Sequence, residues 1–305
     1  MAYGSFDHAP IEDGSIDWES LNAATTRDGL SIVFEPERRL LRMRLTHRDR
    51  FTFDVALLVA MRTVLDAVPR ALGPSRPSVV LLESARDDVF SFGGDLEAFA
   101  GILASGDEAA LRRYAAACID VVHRVHRLCR QDIVSVAHVA GDALGGGLEL
   151  ALAADFIVAE PDARLALPER NFGSFPGMGA YSFLVRRVGR LPTERMIIRG
   201  EALSGAEAER IGLVDALGDG SGAEGFLRAL SARPGTYLSV ARARDAVPRQ
   251  ELDRIVGDWT VRMLGGSERD RRRIGSLARR QKARLAAAPA ILPGGSAAMP
   301  PNPFR

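Results

Sequence analysis

The sequence predicts an α/β fold built from repeated β–β–α units, and three observations carry that expectation. Short apolar runs at Ser78–Leu82, Asp132–Val139 and Asp155–Ala159 have the composition of strands buried on both faces. The first two are each followed by a glycine-rich turn, at 93–94 and 141–147, so that strand, glycine turn and helix recur within about 65 residues. Beyond Gly177 the pattern becomes mostly helical. Alternation of strands and helices favours a layered α/β architecture.

Taken in order, residues 1–26 are polar, without a sustained period, and read as a flexible N-terminal arm. Leu30–Phe34 and Leu40–Leu45 read as two strands joined by the charged turn Glu35–Arg38. The apolar spacing of 53–71 fits a helix, broken by Gly-Pro-Ser-Arg-Pro at 73–77. Residues 106–129 read as a long amphipathic helix, and another starts near Gly146. Further helices are expected near 178–189, 192–199, 204–211 and 223–232, the last stopped by Arg-Pro-Gly, then at 238–245, 249–264 and 267–286. The expected division is an arm (1–26), a core of repeated units (27–215), a C-terminal helical region (216–287) and an Ala-, Pro- and Gly-rich disordered tail (288–305).

Composition narrows the function classes. An apolar fraction of 47% in 305 residues supports a sizeable core. A net charge of +1 gives no footprint for nucleic acid or an anionic membrane. Lys282 is the sole lysine, which removes lysine chemistry from residues 1–281. Cys118 and Cys129 lack metal-ligand spacing and read as reduced core cysteines; His123 and His126 share a helix face and read as packing or solvated residues rather than ligands. The N-terminus has no signal-peptide pattern and no stretch of about 18 apolar residues occurs, so a cytoplasmic location is expected.

The chemistry-bearing residues lie within about 90 positions. Phe-Ser-Phe-Gly-Gly-Asp-Leu (90–96) and Gly-Asp-Ala-Leu-Gly-Gly-Gly-Leu-Glu (141–149) each place a bulk-free backbone turn before a helix. Backbone N–H groups at such turns, and at a helix start with its partial positive charge, can stabilise an oxyanion. Phe92 and Gly146 are the expected donors, with Gly93, Gly94, Gly145 and Gly147 as supporting glycines. Glu149 falls in the first turn or so of its helix. Glu169 follows Pro168, and Phe172 and Phe175 would dry its surroundings and raise its pKa. Two carboxyls held together push their pKa values apart, which suits a general acid and a general base beside a carbonyl. Asp95 reads either as a helix cap or as a catalytic acid.

These residues in this order, Phe-Ser-x-Gly-Gly-Asp-Leu, Ala-Leu-Gly-Gly-Gly-x-Glu and Leu-Pro-Glu…Phe-Pro-Gly-x-Gly, resemble the crotonase (enoyl-CoA hydratase/isomerase) superfamily over about residues 30–290. The resemblance implies a crotonase-like spiral of ββα units with a C-terminal helical trimerisation region. It also implies an acyl thioester substrate, Glu149 and Glu169 as the catalytic carboxylates, and assembly as a homo-trimer or hexamer. No metal or organic cofactor is required. Pro-Gly-Met-Gly-Ala-Tyr-Ser-Phe (176–183), Val89–Phe99 and Trp259 are similar to the diffusible signal factor synthases of bacterial quorum sensing. Those enzymes act on a 3-hydroxyacyl group on acyl carrier protein, dehydrate it to a cis-2-enoyl thioester, and hydrolyse the thioester to a free fatty acid. Asp142, Arg170-Asn171 and Gly173-Ser174 depart from that subgroup's pattern.

Under this resemblance one glutamate takes the C2 proton and the other protonates the leaving hydroxyl, either Glu169 as base with Glu149 as acid or the two roles reversed or shared, with Leu144, Met178 and Trp259 lining an acyl pocket. Some signal synthases are restrained by a sensor kinase; no residue here points to one. Two rival readings stand beside it: an ordinary acyl-CoA hydratase or isomerase, and a non-catalytic trimer that binds an acyl thioester or signalling partner.

Overall fold

The computed structural model describes residues 11–12, 15–46, 51–218 and 220–287. The chain opens with the short strands β1 (Ile11–Glu12) and β2 (Ser15–Ile16) and the helix α1 (Trp18–Thr25). The expectation of a flexible arm is therefore corrected over 15–26. Asp17 caps α1 through the N–H groups of Glu19 and Ser20, and Trp18 and Leu21 are buried in the main core. Two apolar residues in a short polar segment are too few to show a period, yet enough to anchor it. The rest of the expected arm, apart from residues 11–12, and the expected tail at 288–305 lie outside the described residues.

A hairpin follows, β3 (Leu30–Glu35) and β4 (Leu40–Leu45), antiparallel with Leu30 opposite Leu45. Next come α2 (Val55–Ala67), β5 (Val79–Ser84), β6 (Val89–Ser91), α3 (Leu96–Ser105) and α4 (Glu108–His126). The second half of the spiral runs β7 (Val134–Val139), β8 (Asp142–Leu144), α5 (Gly146–Ala153), β9 (Phe156–Ala159) and β10 (Arg164–Ala166). After it come α6 (Ala180–Val188), α7 (Arg190–Glu194) with a π-turn at Arg195–Arg199, β11 (Leu203–Ser204), α8 (Gly205–Arg210) and β12 (Ala216–Leu217). The chain ends in α9 (Glu224–Ala232), α10 (Pro234–Ala243), α11 (Arg249–Leu264) and α12 (Glu268–Ala287). The Arg-Pro-Gly stop ends α9 at Ala232 as the sequence suggested, but Pro234 does more than end a helix. It opens α10, where its missing N–H costs nothing.

Two sheets stack through these units. The larger has the order β12-β9-β7-β5-β4-β3, all parallel except the β3–β4 hairpin. The smaller has the order β11-β10-β8-β6. Each turn of the spiral gives one strand to each sheet: β5 then β6, β7 then β8, β9 then β10. The second sheet is invisible to sequence periodicity because β6, β8 and β10 have three residues each. Buried apolar runs in β5, β7 and β9 match the expectation of strands covered on both faces.

This architecture positions the site. β6 and β8 run parallel side by side, so the glycine turns that follow them are neighbours. The chain beyond 216 is not detached from the spiral: β12 extends the larger sheet beside β9, and α11 and α12 pack on α4 and α3. No helix among the described residues is long and apolar enough to cross a membrane.

Candidate active site

The turn after β6 leads into α3, which Asp95 caps by accepting the N–H groups of Glu97 (3.0 Å) and Ala98 (3.1 Å). Of the two readings of Asp95, the structure shows the cap. The same turn presses on the start of α5. Gly93 has φ +80°, and a Cβ there would lie 2.6 Å from Gly146 N and 2.7 Å from Leu144 O. Only glycine permits both the left-handed backbone and the approach. Gly147 closes against β6 in the same way, with Ser91 O 2.3 Å from its hypothetical Cβ.

Gly146 is the first residue of α5, where helix geometry leaves N–H groups without an intrahelical partner. The second donor differs from the sequence expectation. Phe92 N–H is engaged, donating to Phe51 O at 2.6 Å, while Phe53 N–H donates to Gly93 O at 2.7 Å. The positive φ at Gly93 turns the next amide out of that ladder. Gly94 N–H has no hydrogen-bond partner among the described residues, and Gly94 N lies 3.6 Å from where a Cβ on Gly146 would project. Phe92 and Gly94 both line the cavity beside Gly146, and of the two Gly94 is the one whose N–H keeps no partner among the described residues.

Glu149 is 2% exposed. One turn into α5, its Oε1 accepts the N–H groups of Met178 (2.7 Å) and Ala180 (3.0 Å). The loop at 176–180 thus folds its backbone around this carboxylate. Burial pushes the Glu149 carboxyl well above the ordinary value of 4.5, and the amides of Ala180, Met178 and Gly179 partly counter that by favouring the charged form.

Glu169 is also buried but is held differently. It starts a short 3-10 turn, Glu169–Phe172, after Pro168. Its Oε1 lies 2.5 Å from where a Cβ on Gly145 (φ +53°) would project, so only glycine at 145 leaves it room. Its Oε2 is buried with no hydrogen-bond partner among the described residues. Burial pushes this carboxyl up, and the Glu149 charge pushes it up further. With fewer amides on Glu169, the first proton the pair takes up rests there.

Between them Glu149, Glu169, Gly94 and Gly146 line one cavity of about 690 Å³, the open solvent at its mouth included. The three expected wall residues, Leu144, Met178 and Trp259, are all there. Trp259 lies over Gly177, with its Cγ 2.5 Å from a hypothetical Cβ at that glycine. Phe172 lines the cavity as well, whereas Phe175 is half-buried beside the core.

Phe99, Tyr114, Cys118 and Gln281 also line the cavity and were not visible as site residues in the sequence. Phe99 packs edge-on against Tyr114 (5.0 Å) and at a tilt against Trp259 (5.5 Å), and the Tyr114 hydroxyl donates to Phe53 O. Gln281 had one available signal, its helical spacing from the apolar Ile274 and Leu277. Cys118 and Cys129 are free and buried. His126 is a packing residue: its ring meets Phe183 at 5.1 Å and its Nε2 accepts the Val247 N–H at 2.9 Å.

The sequence departures fall outside the cavity wall. Arg170 reaches the Arg199 carbonyl, Gly173 lies against Asp270 of α12, and Arg262 Nε donates to Gly173 O at 2.6 Å. Gly173 thus meets the C-terminal helices, and Arg170 holds the turn after α7. Asp142 is buried within β8.

A family model for enoyl-CoA hydratase/isomerase matches residues 52–219. The chain belongs to the enoyl-CoA hydratase/isomerase family. Its similarity to cyclohexa-1,5-dienecarbonyl-CoA hydratase of Thauera aromatica is 32% identity over 238 residues, 74% of this chain and 85% of that one. Among solved structures it is similar to DspI of Pseudomonas aeruginosa, with 27% identity, TM-score 0.59, and coverage of 85% of this chain and 96% of the other. An enoyl-CoA hydratase from Bacillus halodurans shares its fold, with 20% identity, TM-score 0.69, and coverage of 81% and 99%. The crotonase-like spiral expected from the motifs is thus the fold of this family member, and its activity is of the enoyl-CoA hydratase-like class.

Proposed function

We propose that this enzyme dehydrates a 3-hydroxyacyl thioester, carried on acyl carrier protein, to the cis-2-enoyl thioester and then hydrolyses it. The product is a cis-2-unsaturated fatty acid that serves as a diffusible quorum-sensing signal. The observation that carries the reading is the pair of buried carboxyls, Glu149 and Glu169, sharing one apolar cavity with the Gly94 and Gly146 amides.

The thioester oxygen sits between those two amides, which stabilise the enolate-like state. Glu169 takes the C2 proton, the C3–O bond breaks, and Glu149 protonates the departing hydroxide to give water. The pair carries one proton in total. At rest that proton sits on Glu169, the arrangement for adding water; in dehydration it sits on Glu149, and the same steps run in reverse. In the second stage a carboxylate takes a proton from water as its oxygen attacks the thioester carbon. The same amides hold the tetrahedral oxyanion, and the thiol leaves with the proton. The Pro-Gly-Met-Gly-Ala-Tyr-Ser-Phe loop that folds around Glu149 supports this reading over a plain hydratase, because it is the segment most like the signal synthases. Assembly as a homo-trimer or hexamer belongs to the same proposal.

A second reading, an ordinary acyl-CoA hydratase or isomerase, is favoured by the family match and by the CoA thioester named in the Thauera relative. Mass spectrometry of organic extracts from cells expressing the chain separates the two, with a Glu149→Gln/Glu169→Gln control. A cis-2-unsaturated fatty acid seen only with the parent supports signal synthesis and gives the chain length. Hydration of enoyl-CoA by purified protein without any free acid supports the second reading.

A further inference from the structure

The helix that closes the cavity carries the molecule's positive charge. α12 holds eight Arg and Lys residues against two acidic ones, a net +6 in a chain whose total is +1, so the remaining 285 residues are net −5. Its inner face is already used. Ile274, Leu277 and Gln281 are buried, Gln281 lines the catalytic cavity, and Arg271 reaches Leu103 O of α3 at 3.3 Å. The outer residues Arg269, Arg272, Arg273, Arg279 and Lys282 are exposed. Arg272 pairs with Glu268 one turn earlier on the same helix. Arg269, Arg279 and Lys282 have no ion-pair partner among the described residues.

We propose that the outer face of α12 stays open in any assembly through the C-terminal helices and is the docking surface for an acidic acyl carrier protein, which presents its thioester arm to the cavity behind the same helix. This rests on the reading above that the substrate is carrier-linked, and it assigns that carrier its surface.

Charge complementarity and placement argue for this occupant. The basic side chains from Arg269 to Lys282 spread along about 20 Å of a convex helix. A nucleotide's phosphates call for donors that converge in a pocket; a dispersed, solvated array instead steers the encounter with an oppositely charged protein. A membrane needs an apolar helix face to insert, and Ile274 and Leu277 of α12 are packed on the body. The helix's inner side forms cavity wall, so a partner seated outside it sits beside the catalytic groups.

The test uses the full chain and compares kcat/KM for the same 3-hydroxyacyl group on acyl carrier protein and on CoA, in the parent and in Arg269→Glu/Arg279→Glu. The proposal expects the carrier-to-CoA ratio to fall tenfold or more in the variant. It also expects the parent's ratio to fall as salt is raised from 50 to 500 mM, a measurement that needs no variant to fold. An unchanged ratio in both experiments overturns the docking surface. Binding of phosphatidylglycerol vesicles or duplex DNA, with no binding of holo-acyl carrier protein, also overturns it. Failure of the synthase reading is read separately. Carrier binding that is lost on charge reversal, with no free acid formed, keeps the surface and removes the synthase. Free acid formed equally from both carriers and insensitive to charge reversal does the opposite.

Discussion

The start of α5 and the loop at 167–179 each deliver a buried glutamate to the same cavity, but by different physical means. Glu149 rides on a helix whose residues are all buried, and its carboxylate is wrapped by the amides of Met178 and Ala180. Glu169 rides on an irregular loop, keeps one oxygen without a partner, and faces the charge of its neighbour. Both are desolvated, yet hydrogen bonding favours charge on one and its absence favours the proton on the other. Two chemically identical side chains thus hold their protons with different strength because their backbones differ.

The largest effect that could break this comparison is loss of either carboxyl. Glu149→Gln and Glu169→Gln are each expected to lower kcat by roughly 10²–10⁴-fold. The double variant should lose little more, because the two share one proton and act as a unit. Turnover within tenfold of the parent in one single variant would show that its glutamate transfers no proton.

Next in size is the contact between the two glycine turns. In Gly93→Ala a methyl would meet Gly146 N at 2.6 Å in a left-handed backbone, displacing an oxyanion donor. The expected loss is about 10²–10³-fold in kcat, measured beside a melting curve that reports folding. A folded variant with parental kcat removes the oxyanion assignment.

The pH profile sharpens the comparison. Below both pKa values the pair has no base; above both it has no acid. Since both carboxyls are raised above 4.5, kcat/KM should be bell-shaped, with both limbs displaced above the ordinary carboxylate range. An acid limb at an ordinary carboxylate value would mean that the two do not titrate as a buried pair.

Stability gives a smaller effect with a definite sign. A carboxyl whose folded pKa lies above its unfolded value keeps its proton on folding. Its contribution is fully present below the unfolded pKa and is lost as pH rises through the folded one. Glu169→Gln cannot ionise, so it should be more stable than the parent by roughly 1–3 kcal/mol at pH 8 and equal to it at pH 4. Denaturant titrations at the two pH values read this directly, and equal stability at pH 8 would contradict the desolvated carboxyl.

The finest measurement is amide hydrogen exchange. Phe92, bonded to Phe51 O, should be protected in the free protein, while Gly94 and Gly146 should gain protection only when an acyl thioester analogue binds. Protection gained at Phe92 instead would restore it as the donor.

Much of this was legible in the chain. The glycine turns, both glutamates and the helices from α6 to α12 left local marks: φ-permissive residues, breakers and helical spacing. Glu149 and Glu169 could be paired in advance because their motifs recur together in one family. The second sheet left no mark, since a three-residue strand has no measurable period. α1 was hidden because Trp18 and Leu21 acquire meaning only against the core they pack on. Phe92 misled because free and bonded amides look alike in a sequence: only the ladder with Phe51 and Phe53, and the flip at Gly93, show which amide is left over.

Residue chemistry and short-range geometry, then, were settled by sequence: which turns need glycine, which segments are helical, which side chains can carry protons. The tertiary structure alone decided which groups meet, because desolvation, the Glu149–Glu169 repulsion and the α12 lining of the cavity arise between residues far apart in the chain. A proton's preference between two carboxyls depends on the water and amides around each, and those are set only when the chain is packed.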